Sequence, residues 1–205
     1  QTIRAAIALV GEDHVSLGSD YDGSVDAPFD VAHLSALTQA LMDSGCTALA
    51  YETVTDKNGG LPLLTPMSQV AGRLAVIEGS YHLKSTEGGR GVLLPGVPGT
   101  KPARVVVIGG GQVGASAVAM AAGLHAEVTV LDLDPQVLQH IDEQYQGRVR
   151  TQISDPVTIA EELLEADLVI GAVLIPGAAA PKLVTEDMVK DMKPGAVLVD
   201  VAIDQ

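Results

Sequence analysis

The segment "RVVVIGGGQVGASAVAMAAGLHAEVTVLDLD", residues 104–134, limits the possible folds of this chain more than any other stretch. Gly109, Gly111 and Gly114 form a G-x-G-x-x-G pattern directly after a short apolar run and at the start of a segment with helical periodicity. In a strand–turn–helix unit, the first glycine permits the tight turn, the second lets a pyrophosphate approach the backbone, and the third lets helix and strand pack closely. We therefore predict a dinucleotide-binding loop, with the pyrophosphate on the helix N-terminus.

A second apolar run, "EVTVLDLD", ends in Asp132, about 20 residues after the glycines, where the ribose hydroxyls of a dinucleotide are usually bound. An acidic side chain there accepts a hydrogen bond from the 2′-hydroxyl and repels a 2′-phosphate, and Asp134 adds to that repulsion. The cofactor predicted is thus NAD rather than NADP. Two alternatives remain open from the residues alone: a glycine-rich turn without a nucleotide, and a site for FAD or an adenosyl ligand.

From residue 101 onward, short apolar runs alternate with helical segments. With 47% hydrophobic but only 2% aromatic residues, the core must be built from aliphatic side chains, as in parallel sheets covered by helices. The predicted fold is α/β, a doubly wound parallel sheet of the Rossmann type. The predicted strands are 104–109, 127–132, 149–153, 168–174 and 196–203, and the predicted helices are 112–124, 135–145, 156–165 and 185–191.

The chain before residue 101 is predicted to form two further parts. Residues 61–100 contain a long helix, with Thr65 as its N-cap and Pro66 as its first residue, followed by a Gly/Pro-rich connection. Residues 1–60 suggest a partial βαβ segment whose last strand is "TALAYETV" and which is too small to bury a core alone. The predicted domains are therefore 1–60, 61–100 and the nucleotide-binding domain 101–205.

Charge and cysteine content exclude several classes of partner. The formal net charge is −14 without a cluster of Lys or Arg, so we expect no nucleic-acid binding. No run of about 20 apolar residues and no signal-peptide pattern occurs, so we expect no membrane span. The single cysteine, Cys46, cannot form an internal disulfide and fits a reducing cytoplasm. It is interpreted as a buried, inert thiol.

Several separated motifs resemble the alanine dehydrogenase family, to which the transhydrogenase alpha subunits are related. These motifs are "YETV", "LPLLTPMSQVAGR", "GVLLPGVPG", "VVVIGGGQVG", "AVLIPGAAAPKLVTEDMV" and "MKPGAVLVDVAIDQ", and the resemblance covers about residues 46–205. It implies an NAD-dependent oxidoreductase that converts L-alanine to pyruvate and ammonia, with hydride passing between the alanine Cα and the nicotinamide.

The resemblance also assigns roles to individual positions. Ser68 matches a serine that contacts the cofactor, Val173 and Leu174 match the segment lying along it, and Ile203 matches a residue beside the nicotinamide. Asp204 matches the family's catalytic-site aspartate, although a carboxylate that caps the turn after a strand is the alternative. The predicted cofactor-binding residues are therefore Ser68, Gly109, Gly111, Gln112, Val113, Gly114, Asp132, Val173, Leu174 and Ile203.

The chain departs from the family pattern in several places. The substrate-domain motifs with the catalytic His, the substrate-binding Lys and the carboxylate-binding Arg do not occur, and the glycines that usually follow "DVAIDQ" are missing, so the second half of the nucleotide fold is expected to be incomplete. Val137 and Ala179 stand where many members carry basic residues. An NAD-binding module without turnover is therefore the alternative function. We also expect exposed apolar surface to be covered by formation of a homo-oligomer.

Within residues 1–45, the stretch "TIRAAIALVGEDHVSLGSDYDGSVDAPFDVAHLSALTQALMDSG" resembles the last strand and helix of a different family, the zinc-dependent membrane (renal-type) dipeptidases. In that family the acids of "GSDYDG", here Asp20 and Asp22, lie at the active site. This chain offers only His14 and His33 beside them, without a further run of ligands. Zinc-dependent dipeptidase activity is thus a second alternative function, but a polar turn is the favoured interpretation and no metal ligand is assigned.

Overall fold

The computed structural model describes residues 39, 40, 42–45, 51–174 and 182–201, except for the side chain of Glu52. The chain divides into two compact units, Gln1–Leu49 and Ala50–Gln205. In the first unit, the described part of the predicted helix is helical, and the Gln39 side chain donates a hydrogen bond to Asp43 at 2.7 Å. The remaining predicted elements of residues 1–50 lie outside the described residues.

The second unit is built on a five-stranded sheet in which every pairing is parallel. Its strand order is β3-β2-β1-β4-β5, so the chain returns past β1 after β3, and β1 and β4 flank the point where the order reverses. This arrangement confirms the predicted doubly wound α/β sheet. The strands are β1 (Arg104–Ile108), β2 (Glu127–Asp132), β3 (Val149–Ile153), β4 (Leu168–Gly171) and β5 (Val197–Asp200).

Five α-helices connect or cover the strands, and short 3₁₀ turns lie at Tyr51–Thr53 and Ser85–Glu87. Alternate side chains of β1 enter two cores, one on each face of the sheet: Val105 and Val107 pack with the first three helices, and Val106 and Ile108 pack with the fourth and fifth. The helices are α1 (Thr65–His82), α2 (Gln112–Gly123), α3 (Pro135–Tyr145), α4 (Pro156–Glu165) and α5 (Glu186–Asp191).

Helix α1 is the predicted long helix, but it begins one residue earlier than expected. Its N-cap is Leu64, and the Thr65 hydroxyl donates to the Leu61 carbonyl oxygen at 2.9 Å instead of accepting from the first turn. The buried face of α1 is rich in small residues, and Gly72 and Gly79 lie on it. Helix α1 therefore approaches α2 and the sheet very closely.

The described residues depart from the prediction at several strands: β1 ends at Ile108 and β5 at Asp200, before the predicted ends at 109 and 203. Residues 51–53 of the expected strand "TALAYETV" form a 3₁₀ turn and pair with no strand of the described sheet. Strand β4 ends at Gly171 rather than at residue 174, because its neighbour β1 turns away at Gly109, where φ is 98°. Val173 and Leu174 therefore continue beyond the sheet.

No helix within the described residues is long and apolar enough to span a membrane. Likewise, no group of three or more His, Cys, Asp or Glu side chains in the described ranges is placed to hold a metal ion.

Candidate functional site

A cleft of about 800 Å³ opens at the carboxyl ends of the strands, where β1 and β4 meet. This is the position at which ligands bind in open α/β sheets, because the loops on either side of the reversal diverge. Eight of the predicted site residues line it: Ser68, Gly109, Gly111, Gln112, Val113, Asp132, Val173 and Leu174. The sequence motifs therefore converge on one cavity, although they are up to 106 positions apart.

The three glycines of the loop differ in whether the surrounding structure requires glycine at their positions. Gly109 has a φ of 98°, and a Cβ there would lie 2.9 Å from the Ala172 carbonyl oxygen. A Cβ on Gly114 would lie 1.8 Å from the Gly109 carbonyl oxygen, so only glycine lets α2 pack on the loop. Gly111 is different, because its φ of −66° and ψ of −162° suit any residue and its Cβ would meet no atom within 4 Å. The space beside Gly111 is thus open.

Helix α2 points an uncapped N-terminus at this open space. Its N-cap is Gly111, which has no side chain to accept a hydrogen bond, and the first intrahelical bond runs from the Ala115 N–H to the Gly111 carbonyl at 2.7 Å. By contrast, α3, α4 and α5 are capped by Asp134, Asp155 and Thr185. The first backbone N–H groups of α2 therefore have no acceptor within the helix and carry the positive end of its dipole.

Asp132, at the end of β2, holds two backbone groups. One carboxylate oxygen, Oδ2, accepts from the Gly110 N–H at 2.6 Å, and Oδ1 accepts from the Asp134 N–H at 2.8 Å. Each oxygen keeps a lone pair, so the half-buried carboxylate can accept a further hydrogen bond from the cleft. Leu133, which is 77% exposed, lines the cleft next to it.

Helix α1 and the end of β4 contribute further residues to the cleft. Ser68 is buried, at 7% exposure, and lines the cleft one helical turn before Gly72. Val173 and Leu174 follow β4 and line the cleft beyond the last sheet hydrogen bond of that strand with β1, which runs from the Ala172 N–H to the Ile108 carbonyl at 2.8 Å. Their position follows from the early end of β4.

The cleft also includes residues that the sequence analysis did not identify. Asp155, which follows β3, caps α4, and hydrogen bonds from the Thr158 backbone N–H and hydroxyl hold the pKa of its carboxyl below the usual value. The loop containing Gly60 is closed by Asp56, whose Oδ1 accepts the Gly60 N–H at 2.9 Å. Among the described residues that line the cleft, Lys182 is the only Lys, Arg or His. The rule that ligands bind beyond the carboxyl ends of strands could have identified Asp155.

Not every predicted site residue lines the cleft. Gly114 lies behind it and supports the loop through its contact with Gly109. Ile203 and Asp204 lie outside the described residues, as do Cys46, Asp20 and Asp22. Strand β5, which precedes Ile203 and Asp204, pairs with β4 in parallel, so its carboxyl end lies at the same edge of the sheet as the cleft.

Comparison with known proteins gives consistent matches. Residues 75–205, more than half of the chain, match the family model "Alanine dehydrogenase/PNT, C-terminal domain". The alanine dehydrogenase of Halomonas elongata is 60% identical over 180 residues, which are 86% of this chain and 48% of that protein. A solved L-alanine dehydrogenase superposes with a TM-score of 0.78 at 50% identity, covering 85% of this chain and 48% of that one.

A more distant solved structure, a transhydrogenase from Sinorhizobium meliloti, superposes with a TM-score of 0.55 at 32% identity and covers 69% of this chain and 40% of that one. The chain spans about half the length of the curated relatives it matches. None of these matches supports the resemblance of residues 1–45 to zinc-dependent dipeptidases.

Proposed function

Because this chain belongs to the alanine dehydrogenase family, we propose that its cleft binds NAD(H) and that it serves the oxidative deamination of L-alanine to pyruvate and ammonia. In the balanced reaction, L-alanine, NAD⁺ and water yield pyruvate, ammonium, NADH and a proton. The bound nicotinamide supplies the hydride acceptor. The residues of this chain bind the dinucleotide, orient it and exclude water around it.

The observation that carries the proposal is the open space at Gly111. The fold explains Gly109 and Gly114 by backbone contacts, but neither the backbone conformation nor any neighbouring atom requires glycine at 111. A missing side chain next to an uncapped helix N-terminus is what a pyrophosphate group needs, because the phosphate oxygens must reach the backbone N–H groups of α2. These residues therefore fit a dinucleotide.

The other cleft residues fit the remaining parts of NAD. Asp132 can accept a ribose hydroxyl, and Leu133 offers an apolar surface to the adenine ring. A 2′-phosphate would meet the negative charges of Asp132 and Asp134, which favours NAD over NADP. Ser68, Val173 and Leu174 would lie along the nicotinamide half. We assign Asp204, which follows β5, to the reacting end, and Ile203 to the nicotinamide beside it.

The proposal is tested by calorimetric titration of the chain with NADH. Wild type is expected to bind saturably, and Asp132→Ala is expected to lose at least ~10-fold in affinity, because a hydrogen bond to a charged group contributes ~1.5–3 kcal/mol. Asp142→Ala, on an exposed part of α3, is the matched control and should bind like wild type. Failure of wild type to bind millimolar NADH would overturn the proposal, and equal affinity of Asp132→Ala would overturn the assignment of Asp132.

A second candidate function is NAD binding without turnover. It is favoured by the described lining of the cleft, whose groups suit the binding of a dinucleotide and in which Lys182 is the one basic side chain. Incubation with L-alanine and NAD⁺, followed through the absorbance of reduced nicotinamide, separates the two functions. Production of NADH supports alanine dehydrogenase activity, whereas binding without NADH production supports the module.

We also propose that the chain forms a homo-oligomer in a reducing cytoplasm. The support is a stripe of apolar side chains along α1, opposite its buried face, with alternating spacings of three and four residues. Each of these side chains is between 43% and 58% exposed, and they are Met67, Val70, Leu74, Ile77 and Tyr81. Such spacing suits pairing of α1 with another helix of the same kind. The single cysteine, which allows no internal disulfide, supports the compartment. A monomer in sedimentation velocity at micromolar concentration would contradict the oligomer.

A further inference from the structure

Helices α1 and α2 approach each other backbone to backbone at Gly72. Gly72 of α1 is buried, and a Cβ placed on it would lie 2.1 Å from the Val113 carbonyl oxygen and 2.9 Å from the Ser116 Cβ. A contact with a backbone oxygen cannot be relieved by a change of side-chain rotamer. An alanine at position 72 would therefore have to move the two helices apart by about 1 Å to restore ordinary carbon–oxygen contact.

The Val113 carbonyl belongs to the first turn of α2, which begins at Gln112 directly after Gly111. The same turn carries the backbone N–H groups that have no acceptor within the helix and that face the cleft. Peptide units are planar, so displacement of the Val113 carbonyl also rotates the N–H of Gly114 in the same peptide unit. The distance between α1 and α2 at Gly72 thus sets the orientation of the donors at the cleft.

Gly72 itself does not line the cleft, whereas Ser68, one helical turn earlier on the same face, does. Helix α1 is also fixed to the sheet at Gly79, whose Cβ would lie 2.5 Å from Leu168 Cδ1. The helix is therefore packed on the sheet near its C-terminal end and touches the first turn of α2 near its middle.

We propose that Gly72 is a positioning residue for dinucleotide binding. By allowing contact between the two backbones, it holds the first turn of α2 where its N–H groups meet the pyrophosphate. This inference rests on the proposed function, because it requires that the cleft bind a dinucleotide. It adds a residue outside the G-x-G-x-x-G loop, in a helix 40 positions earlier in the chain, to the set that determines affinity.

The test compares three alanine variants in the complete chain. Gly72→Ala is expected to weaken NADH binding by ~10-fold or more, since a displacement of about 1 Å can reduce the effectiveness of an oriented site by up to ~100-fold. Gly79→Ala adds the same methyl to the same helix against Leu168, and should lower stability while leaving NADH affinity within ~3-fold of wild type, because sites without shared partners act independently. Gly123→Ala, at the end of α2 with no atom within 4 Å of its Cβ, should leave NADH affinity unchanged and stability equal to or slightly above that of wild type.

A second variant approaches the same contact from α2. Ser116→Val adds volume beside Gly72 and should reduce NADH affinity in the same direction, which keeps the inference testable if Gly72→Ala fails to fold. Competition by ADP and adenosine provides a further readout, since displaced phosphate donors should weaken ADP more than adenosine.

The outcomes distinguish the role of Gly72 from the proposed binding of NADH. Wild-type affinity in both Gly72→Ala and Ser116→Val, with NADH binding intact in the parent chain, would overturn the role of Gly72 alone. An equal loss of affinity in Gly79→Ala would mean that general destabilisation is the cause, and would also overturn it. Absence of NADH binding by the wild type would overturn the proposed function together with this inference.

Discussion

Replacing Gly111 and Gly114 separately by alanine should give opposite results for folding and binding, although the two glycines belong to one motif. Alanine can adopt the backbone angles of Gly111, −66° and −162°, and its methyl group would meet no protein atom within 4 Å. Alanine is a poorer N-cap than glycine by up to ~1 kcal/mol, but it also reduces the entropy of the unfolded chain by ~0.4–1 kcal/mol. The free energy of unfolding should thus change by less than about 1 kcal/mol.

Gly114→Ala should instead destabilise the fold. Its methyl carbon would lie 1.8 Å from the Gly109 carbonyl oxygen, and 3.3 Å from Val107 Cγ1 in the core. Both neighbours belong to the strand–turn–helix unit, so α2 must shift as a whole. Overpacking of this kind lowers the free energy of unfolding by ~1–3 kcal/mol, and a backbone contact belongs at the upper end of that range.

For NADH affinity, by contrast, Gly111→Ala should be the variant with the clear loss. The methyl group of Gly111→Ala occupies the open space where the pyrophosphate would lie, and loss of one charge-assisted hydrogen bond, ~1.5–3 kcal/mol, lowers NADH affinity ~10- to 150-fold. Urea unfolding followed by far-ultraviolet circular dichroism measures stability, and calorimetric titration with NADH measures affinity. Wild-type affinity in Gly111→Ala, or destabilisation of that variant as large as that of Gly114→Ala, would refute the reasoning.

Two further predictions concern stability. Gly79→Ala and Leu168→Ala should each destabilise the chain, the latter by ~2–5 kcal/mol. The double variant should lose at least ~0.5 kcal/mol less than the sum of the two, because the new methyl at 79 fills space that Leu168 vacates. Additive free energies in urea unfolding would contradict this contact. The pKa of Asp155 is lowered by the Thr158 backbone N–H and hydroxyl, so its contribution is present above about pH 4 and is lost as the pH falls further. Asp155→Asn, an equally good N-cap at neutral pH, should lose less stability between about pH 4 and pH 2, and identical acid-unfolding curves would rule out this role.

The parallel sheet could be predicted closely because its signals are local. Strand β2 at Glu127–Asp132 and helix α3 at Pro135–Tyr145 have the predicted bounds, since Asp134 and Pro135 are an N-cap and first-turn residue that depend on no distant neighbour. The early end of β4 could not be predicted, because it depends on where β1 turns at Gly109. Apolar residues such as Val173 look the same in a strand and along a cleft.

The candidate site was predictable to a similar extent. Asp132 and the loop glycines have a fixed spacing that follows from the strand–helix–strand unit. The open space at Gly111, by contrast, is visible only when the neighbours of each glycine are known. The contact between Gly72 and the Val113 carbonyl joins residues 41 positions apart, and a glycine within a helical pattern gives no indication of which backbone approaches it.

The two hydrogen bonds of Asp132 limit how cofactor preference can change in this scaffold. Because its carboxylate accepts from the N–H groups of Gly110 and Asp134, an alanine introduced there to admit a 2′-phosphate would also leave the buried Gly110 N–H without its acceptor and release the loop. A change of nucleotide preference by truncation of Asp132 therefore carries a structural cost in the loop. A compensating acceptor for the Gly110 N–H would have to be introduced before Asp132 is replaced. The loop therefore determines the order in which such substitutions can accumulate.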